Sequence, residues 1–263
     1  MYPLRRVEDE NLYYYESNQD SDLTLIFTPG GFNPEIWRHQ VKYFSRKIHT
    51  ISFQPTSNNR GFEGEKRALA NVLKQDQVEN AVLVSNVLGN PVIQSFEDRE
   101  NVMATVFTGM LKNYSLPTRL YSMGSKFLGA EPKLFKKMFF SSYADYKVVK
   151  QFLRDAEFPS YEIFKSFAKE YDIRTPVKPN LVIHSEEDRF SSLERVKKLE
   201  NNSTSLIKRS GTFSFYEKPQ EYNKALNDFL VSVDERIEER KIYESKKRNR
   251  SLSEFDKKVK AKR

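Results

Sequence analysis

Between residues 23 and 108 the sequence repeatedly switches from a short apolar run to a stretch of helical spacing, with only a few residues connecting each pair. Residues 23–28, 49–53, 81–85 and 102–108 have strand length, and those near 33–44, 66–74 and 91–98 are helical, the first with Ile36, Trp37, Val41 and Phe44 on one face. Parallel strands need a crossover, and a helix supplies it. The alternation therefore predicts an α/β fold with a mostly parallel sheet between two layers of helices. A further strand at residues 11–16, separated from residues 23–28 by the polar turn 17–22, reads as an opening hairpin.

From residue 109 the alternation stops. Residues 109–178 are helical in pattern and dense in aromatics, among them Phe127, Phe135, Phe139, Phe140, Phe152, Phe164 and Phe167, which reads as an inserted helical lid. Sheet character returns at residues 180–184, followed by a helix near 193–199, a strand at 205–208 and a helix over 219–237. That last helix carries Tyr222, Leu226, Phe229, Leu230 and Val233 on one stripe, expected to dock on the sheet. The expected division is a core in two parts, 1–108 and 179–237, a lid at 109–178 and a basic tail at 238–263.

The 263 residues include no Cys, which excludes disulfides, thiolate nucleophiles and Cys-held metals. No apolar run approaches the roughly 18 residues of a membrane-spanning helix, and residues 1–6 lack a signal-peptide core, so the expectation is a cytoplasmic protein without a membrane span. Net charge is +8, yet residues 236–263 hold 12 Lys and Arg against 5 Asp and Glu, leaving 32 against 31 in the other 235 residues. The basicity belongs to the tail.

The segment 81–90 reads as a buried strand entering a tight turn and then a helix, the setting of a nucleophile elbow. Val87 stands at its tip. A valine has no lone pair with which to attack a carbonyl, so covalent catalysis there is excluded.

Taken in order, four landmarks resemble the α/β-hydrolase superfamily over residues 10–235. Pro29, Gly30, Gly31 and Phe32, with Trp37, resemble the loop whose backbone N–H helps form the oxyanion hole. Residues 84–90 resemble the elbow, with Ser85 at its first glycine position, Val87 at the nucleophile position and Gly89 at its second glycine. Asp188 falls where the acid follows a strand, and Thr212, between Gly211 and Phe213, falls where the base His is usual. The resemblance implies a degenerate catalytic triad, because two of its three groups are missing and loss of one triad member typically costs on the order of 10⁶ in turnover.

His39, His49 and His184 read as structural or surface residues. Ser85 reads as a buried hydroxyl bonded to backbone, and Asp188 is also a good helix N-cap. With no metal or cofactor implied, the reading is a pseudo-hydrolase: a ligand-binding or protein-interaction module whose pocket residues are Gly30, Gly31, Phe32, Trp37, Val87 and Leu88. That pocket takes a small apolar molecule or is filled by side chains. The alternatives are a divergent hydrolase with a relocated nucleophile, and a scaffold whose tail holds nucleic acid or an acidic protein.

The tail cations are Lys246, Lys247, Arg248 and Arg250 in one cluster and Lys257, Lys258 and Lys260 in another. Between them Ser251 and Glu254 read as a capping box that opens a short helix with Leu252, Phe255 and Val259 on one face. Binding through such a segment rests on phosphate or carboxylate charge and weakens with salt.

Overall fold

The computed structural model describes residues 5–7, 12–17, 20–55, 60–110, 132–170, 175–191, 193–198 and 202–260. The strands are β1 (Arg5–Val7), β2 (Leu12–Glu16), β3 (Thr24–Thr28), β4 (His49–Pro55), β5 (Ala81–Ser85), β6 (Val102–Thr108), β7 (Asn180–Ser185) and β8 (Asn202–Ile207). They form one sheet in the order β1-β2-β4-β3-β5-β6-β7-β8. All pairs from β4 onward are parallel, and β1, β2 and β4 pair antiparallel.

The expected hairpin between residues 11–16 and 23–28 does not form. β2 pairs with β4, and β4 lies between β2 and β3. β3 is buried along its whole length, so it takes an interior place, paired on both edges by β4 and β5 in a sheet whose faces helices cover, while the less apolar β2 goes toward the edge.

Local chemistry sets the helix boundaries. A 3₁₀ turn, Pro34–Trp37, is capped by Asn33, whose side chain accepts from Glu35 N, and continues into α1 (Arg38–Phe44). α2 (Phe62–Gln75) starts after Gly61 and α3 is Asn90–Gln94. Between β6 and β7 lie α4 (Pro132–Phe139), α5 (Tyr146–Ala156), capped by Asp145, and α6 (Tyr161–Lys169), capped by Ser160. The rest of the proposed lid, with Phe127, lies outside the described residues. α7 (Leu193–Lys197) and α8 (Ser214–Glu217) are short.

The final helix, α9 (Pro219–Lys260), is 42 residues long and runs well past the expected end at 237. No Gly or Pro follows Pro219, and the sequence beyond 237 is rich in Glu, Lys and Arg, which sustain a helix without packing. Ser251 is thus a mid-helix residue and not the first residue of a separate short helix, as expected. The chain divides into compact units at residues 1–226 and 227–263. The first contains the whole sheet; the second is the remainder of α9, whose side chains from 244 onward lie outside the described residues, the tail cations among them. None of the described helices is long and apolar enough to cross a membrane.

Candidate functional site

The parallel register brings the carboxyl ends of β3, β5, β6 and β7 to one edge, through the pairs Thr28 with Ser85, Ser85 with Phe107 and Thr108 with Ile183. The loop after β3, the turn after β5, Gly109 and Asp188 therefore meet there, where open α/β sheets present their sites. A Cβ built on Gly109 would lie 3.0 Å from Asp188 Oδ2 and 4.0 Å from Val87 Cγ2. Thr212 Oγ1 donates to Asp188 Oδ1 at 2.9 Å. Val87, Asp188 and Thr212 thus lie near one another at this edge, presenting an apolar group, a carboxyl and a hydroxyl.

The turn itself departs from an elbow. Among the described non-glycine residues, positive φ occurs at Gln77, Glu157 and Arg209 and not at Val87. A β-branched side chain is strongly disfavoured in the left-handed region, so the sharp geometry that lifts a nucleophile out of the sheet is not adopted. Instead Asn86, fully buried, organises the turn. Its Oδ1 accepts from Leu88 N at 2.9 Å and Gly89 N at 3.0 Å, and its Nδ2 donates to Pro29 O at 2.5 Å. Leu88 N is the amide that would face an oxyanion at this turn, and it is already bonded.

The loop after β3 is satisfied in the same internal way. Gly30 and Gly31 have φ of 60° and 79°, a conformation that glycine adopts at little cost, and their N–H groups point together. Gly30 N donates to Glu65 Oε1 and Gly31 N to Glu65 Oε2, each at 2.8 Å. Glu65 comes from the first turn of α2 and is wholly buried. Burial pushes its carboxyl up to about 7, with the Gly31 and Gly30 N–H groups and Arg60 pulling the other way. A carboxylate of the chain thus sits on the amides that would hold a developing oxyanion.

Sequence reasoning overlooked Glu65, although a signal was present. Phe62, Glu65, Leu69 and Val72 share one helical stripe, so a carboxylate stands on the apolar face of α2. The expected pocket residues Phe32, Val87 and Leu88 are buried, and α6 closes over Gly31, with Phe167 Cε2 at 3.0 Å and Ile163 Cγ2 at 3.1 Å from a built Cβ. Trp37 lies in the core, donating to Thr28 O at 2.9 Å and packed at a tilt against Phe215 with centroids 4.3 Å apart. Cavities among the described residues also occur elsewhere. One of about 280 Å³ is lined by Phe62, Lys66, Gln94 and Glu97 among others, and one of about 740 Å³ by Lys147, Lys150 and Arg154 among others.

The remaining candidates resolve individually. Ser85 Oγ is buried and donates to the Asn90 side chain at 2.6 Å, not to backbone as expected. Asp188 is no helix N-cap, since α7 starts at Leu193; its Oδ1 instead accepts from Phe190 N at 3.0 Å, and burial pushes the carboxyl up. His49 bonds Thr24 and Glu16, and His39 packs edge-on to Tyr216. His184, read as a structural or surface residue, is buried with Nδ1 3.2 Å from Ser191 Oγ, which also accepts from Met110 N at 2.8 Å. Among the described residues no group of three or more His, Asp or Glu side chains is arranged to hold a metal.

Solved structures give the fold its place. An esterase from Exiguobacterium antarcticum superposes with a TM-score of 0.70 at 12% identity, covering 84% of this chain and 95% of that one. A thermophilic esterase from Thermogutta terrifontis gives 0.67 at 13%, covering 84% and 93%, and a bromoperoxidase from Bacillus anthracis 0.65 at 16%, covering 84% and 95%. No protein-family model matches the sequence, and no curated protein does. The chain has the α/β-hydrolase fold, a mostly parallel sheet flanked by helices.

Proposed function

We propose that this protein is a non-catalytic member of its fold, a pseudo-hydrolase that works by binding rather than by turnover. One observation carries the reading: the backbone amides at the oxyanion position, on Leu88, Gly30 and Gly31, are already bonded to the chain's own Asn86 and Glu65. Replacing Val87 would leave this unchanged. Electrostatic stabilisation of the oxyanion is usually the largest catalytic contribution, and here its donors have no free capacity. Thr212 in place of an imidazole removes proton transfer as well. The basic tail is the part of the chain suited to nucleic acid or an acidic protein partner.

A divergent hydrolase has one specific observation in its favour, the Ser191 and His184 contact beside Asp188. Both residues are buried, as a structural pair would be. Treating the folded protein with a fluorophosphonate probe and reading its intact mass separates the two readings. No adduct is expected; a stoichiometric adduct mapped to Ser191 that forms on the folded protein and not on a heat-denatured control would establish the hydrolase.

A further inference from the structure

Glu65 has a geometry that goes beyond the absence of catalysis. Two consecutive glycine N–H groups in left-handed conformation form a concave anion site, and each is matched by one oxygen of the same carboxylate at 2.8 Å. A bidentate fit of this kind is how a free carboxylate would be held. The walls are complete. Asn86 lies against Gly30 from the turn after β5, and Phe167, Ile163 and Pro159 lie against Gly31. Arg60 is the charged group acting on the carboxylate, and it is itself engaged by Glu157 at 3.0 Å, while the groups facing the glycines from the turn and from α6 do not titrate.

We propose that the Gly30 and Gly31 amides are a small-carboxylate binding site whose ligand is built into the chain, the Glu65 side chain serving as an internal occupant that formate or acetate replaces once it is removed. The inference deepens the non-catalytic reading, since the same occupant that leaves no donor for an oxyanion also turns free anions away. In the wild-type protein the site is closed to carboxylates. In Glu65→Ala the two N–H groups lose their acceptor in a buried place, which makes a carboxylate of formate or acetate size favourable there.

The test is thermal unfolding of wild type, Glu65→Ala and Glu65→Gln in sodium formate or sodium acetate, against sodium chloride at equal ionic strength. The Ala variant is expected to gain about 3 °C or more in Tm at tenfold excess over Kd, while the wild type and the Gln variant, whose side chain still fills the space, do not move. No gain in the Ala variant, or an equal gain in all three, overturns the proposal. A measurement on the wild type stands beside it in case the Ala variant does not fold. The Gly30 and Gly31 amide resonances are expected to shift together between pH 5 and 9 as their shared acceptor ionises, and two amides that stay still contradict the internal ligand. Failure of either test leaves the fluorophosphonate result untouched, and a labelled serine leaves the formate result untouched.

Discussion

Burial lifts the Glu65 carboxyl from an ordinary 4.5 to about 7. Between those values the folded chain holds a proton that the unfolded chain has released. The group's contribution to stability is therefore full below pH 4.5 and is lost as pH rises through 7, by about 3 kcal/mol. Glu65→Gln cannot ionise, so its stability relative to wild type is expected to improve by about that amount from pH 5 to pH 8 in urea unfolding, and a constant difference would contradict the burial argument. Residue by residue, the site was half legible in the sequence. Val87 and Thr212 could be read because landmarks in fixed order located them, and chemistry then said what they lack. Glu65 was marked only as a carboxylate on an apolar helical stripe, and its partners, like those of Asn86 and the Ser191 and His184 contact, could not be read, because each depends on which loops the sheet register brings together.

At the scale of elements, the loop before α8 is held tightly against the helices that follow β6. Phe213 stacks on Phe152 with centroids 4.3 Å apart, and Glu217 accepts from Gly211 N at 2.9 Å and Ser141 N at 3.2 Å. A Cβ on Gly211 would meet Phe139 O at 2.5 Å and Phe140 backbone at 2.6 Å, where no flexible side chain can yield. Gly211→Ala is expected to cost roughly 1–3 kcal/mol, seen as a lower Tm, and an unchanged Tm would show that this contact is loose. The strands of the parallel core were legible because strands buried on both faces are continuous apolar runs. The position of β2 was not, since a polar turn between two strands fixes neither their pairing nor what comes between them. α9 outran its expected end because Glu, Lys and Arg favour the helix beyond the point where the apolar stripe stops.

Across the whole molecule, charge and fold are separated. Truncation after Ile237 removes eleven basic and five acidic residues and takes the net charge from +8 to +2, while the sheet and all the site residues lie within residues 1–226. The truncated chain is expected to keep its near-ultraviolet circular dichroism and to elute from heparin at much lower salt than the full chain; equal elution would move the polyanion surface off the tail. The solved structures of similar fold include esterases and a bromoperoxidase, a likeness of fold alone, and the proposed lack of turnover rests on the bonding of the Leu88, Gly30 and Gly31 amides. The most direct measurement of that claim is fluorophosphonate labelling of folded Val87→Ser, read by intact mass beside the wild type. With Leu88 N held by Asn86, Gly30 and Gly31 held by Glu65, and no imidazole at Thr212, the restored hydroxyl is expected to remain unlabelled. Stoichiometric labelling at residue 87 would contradict the account, because it would mean that Val87 alone separates this protein from an active hydrolase.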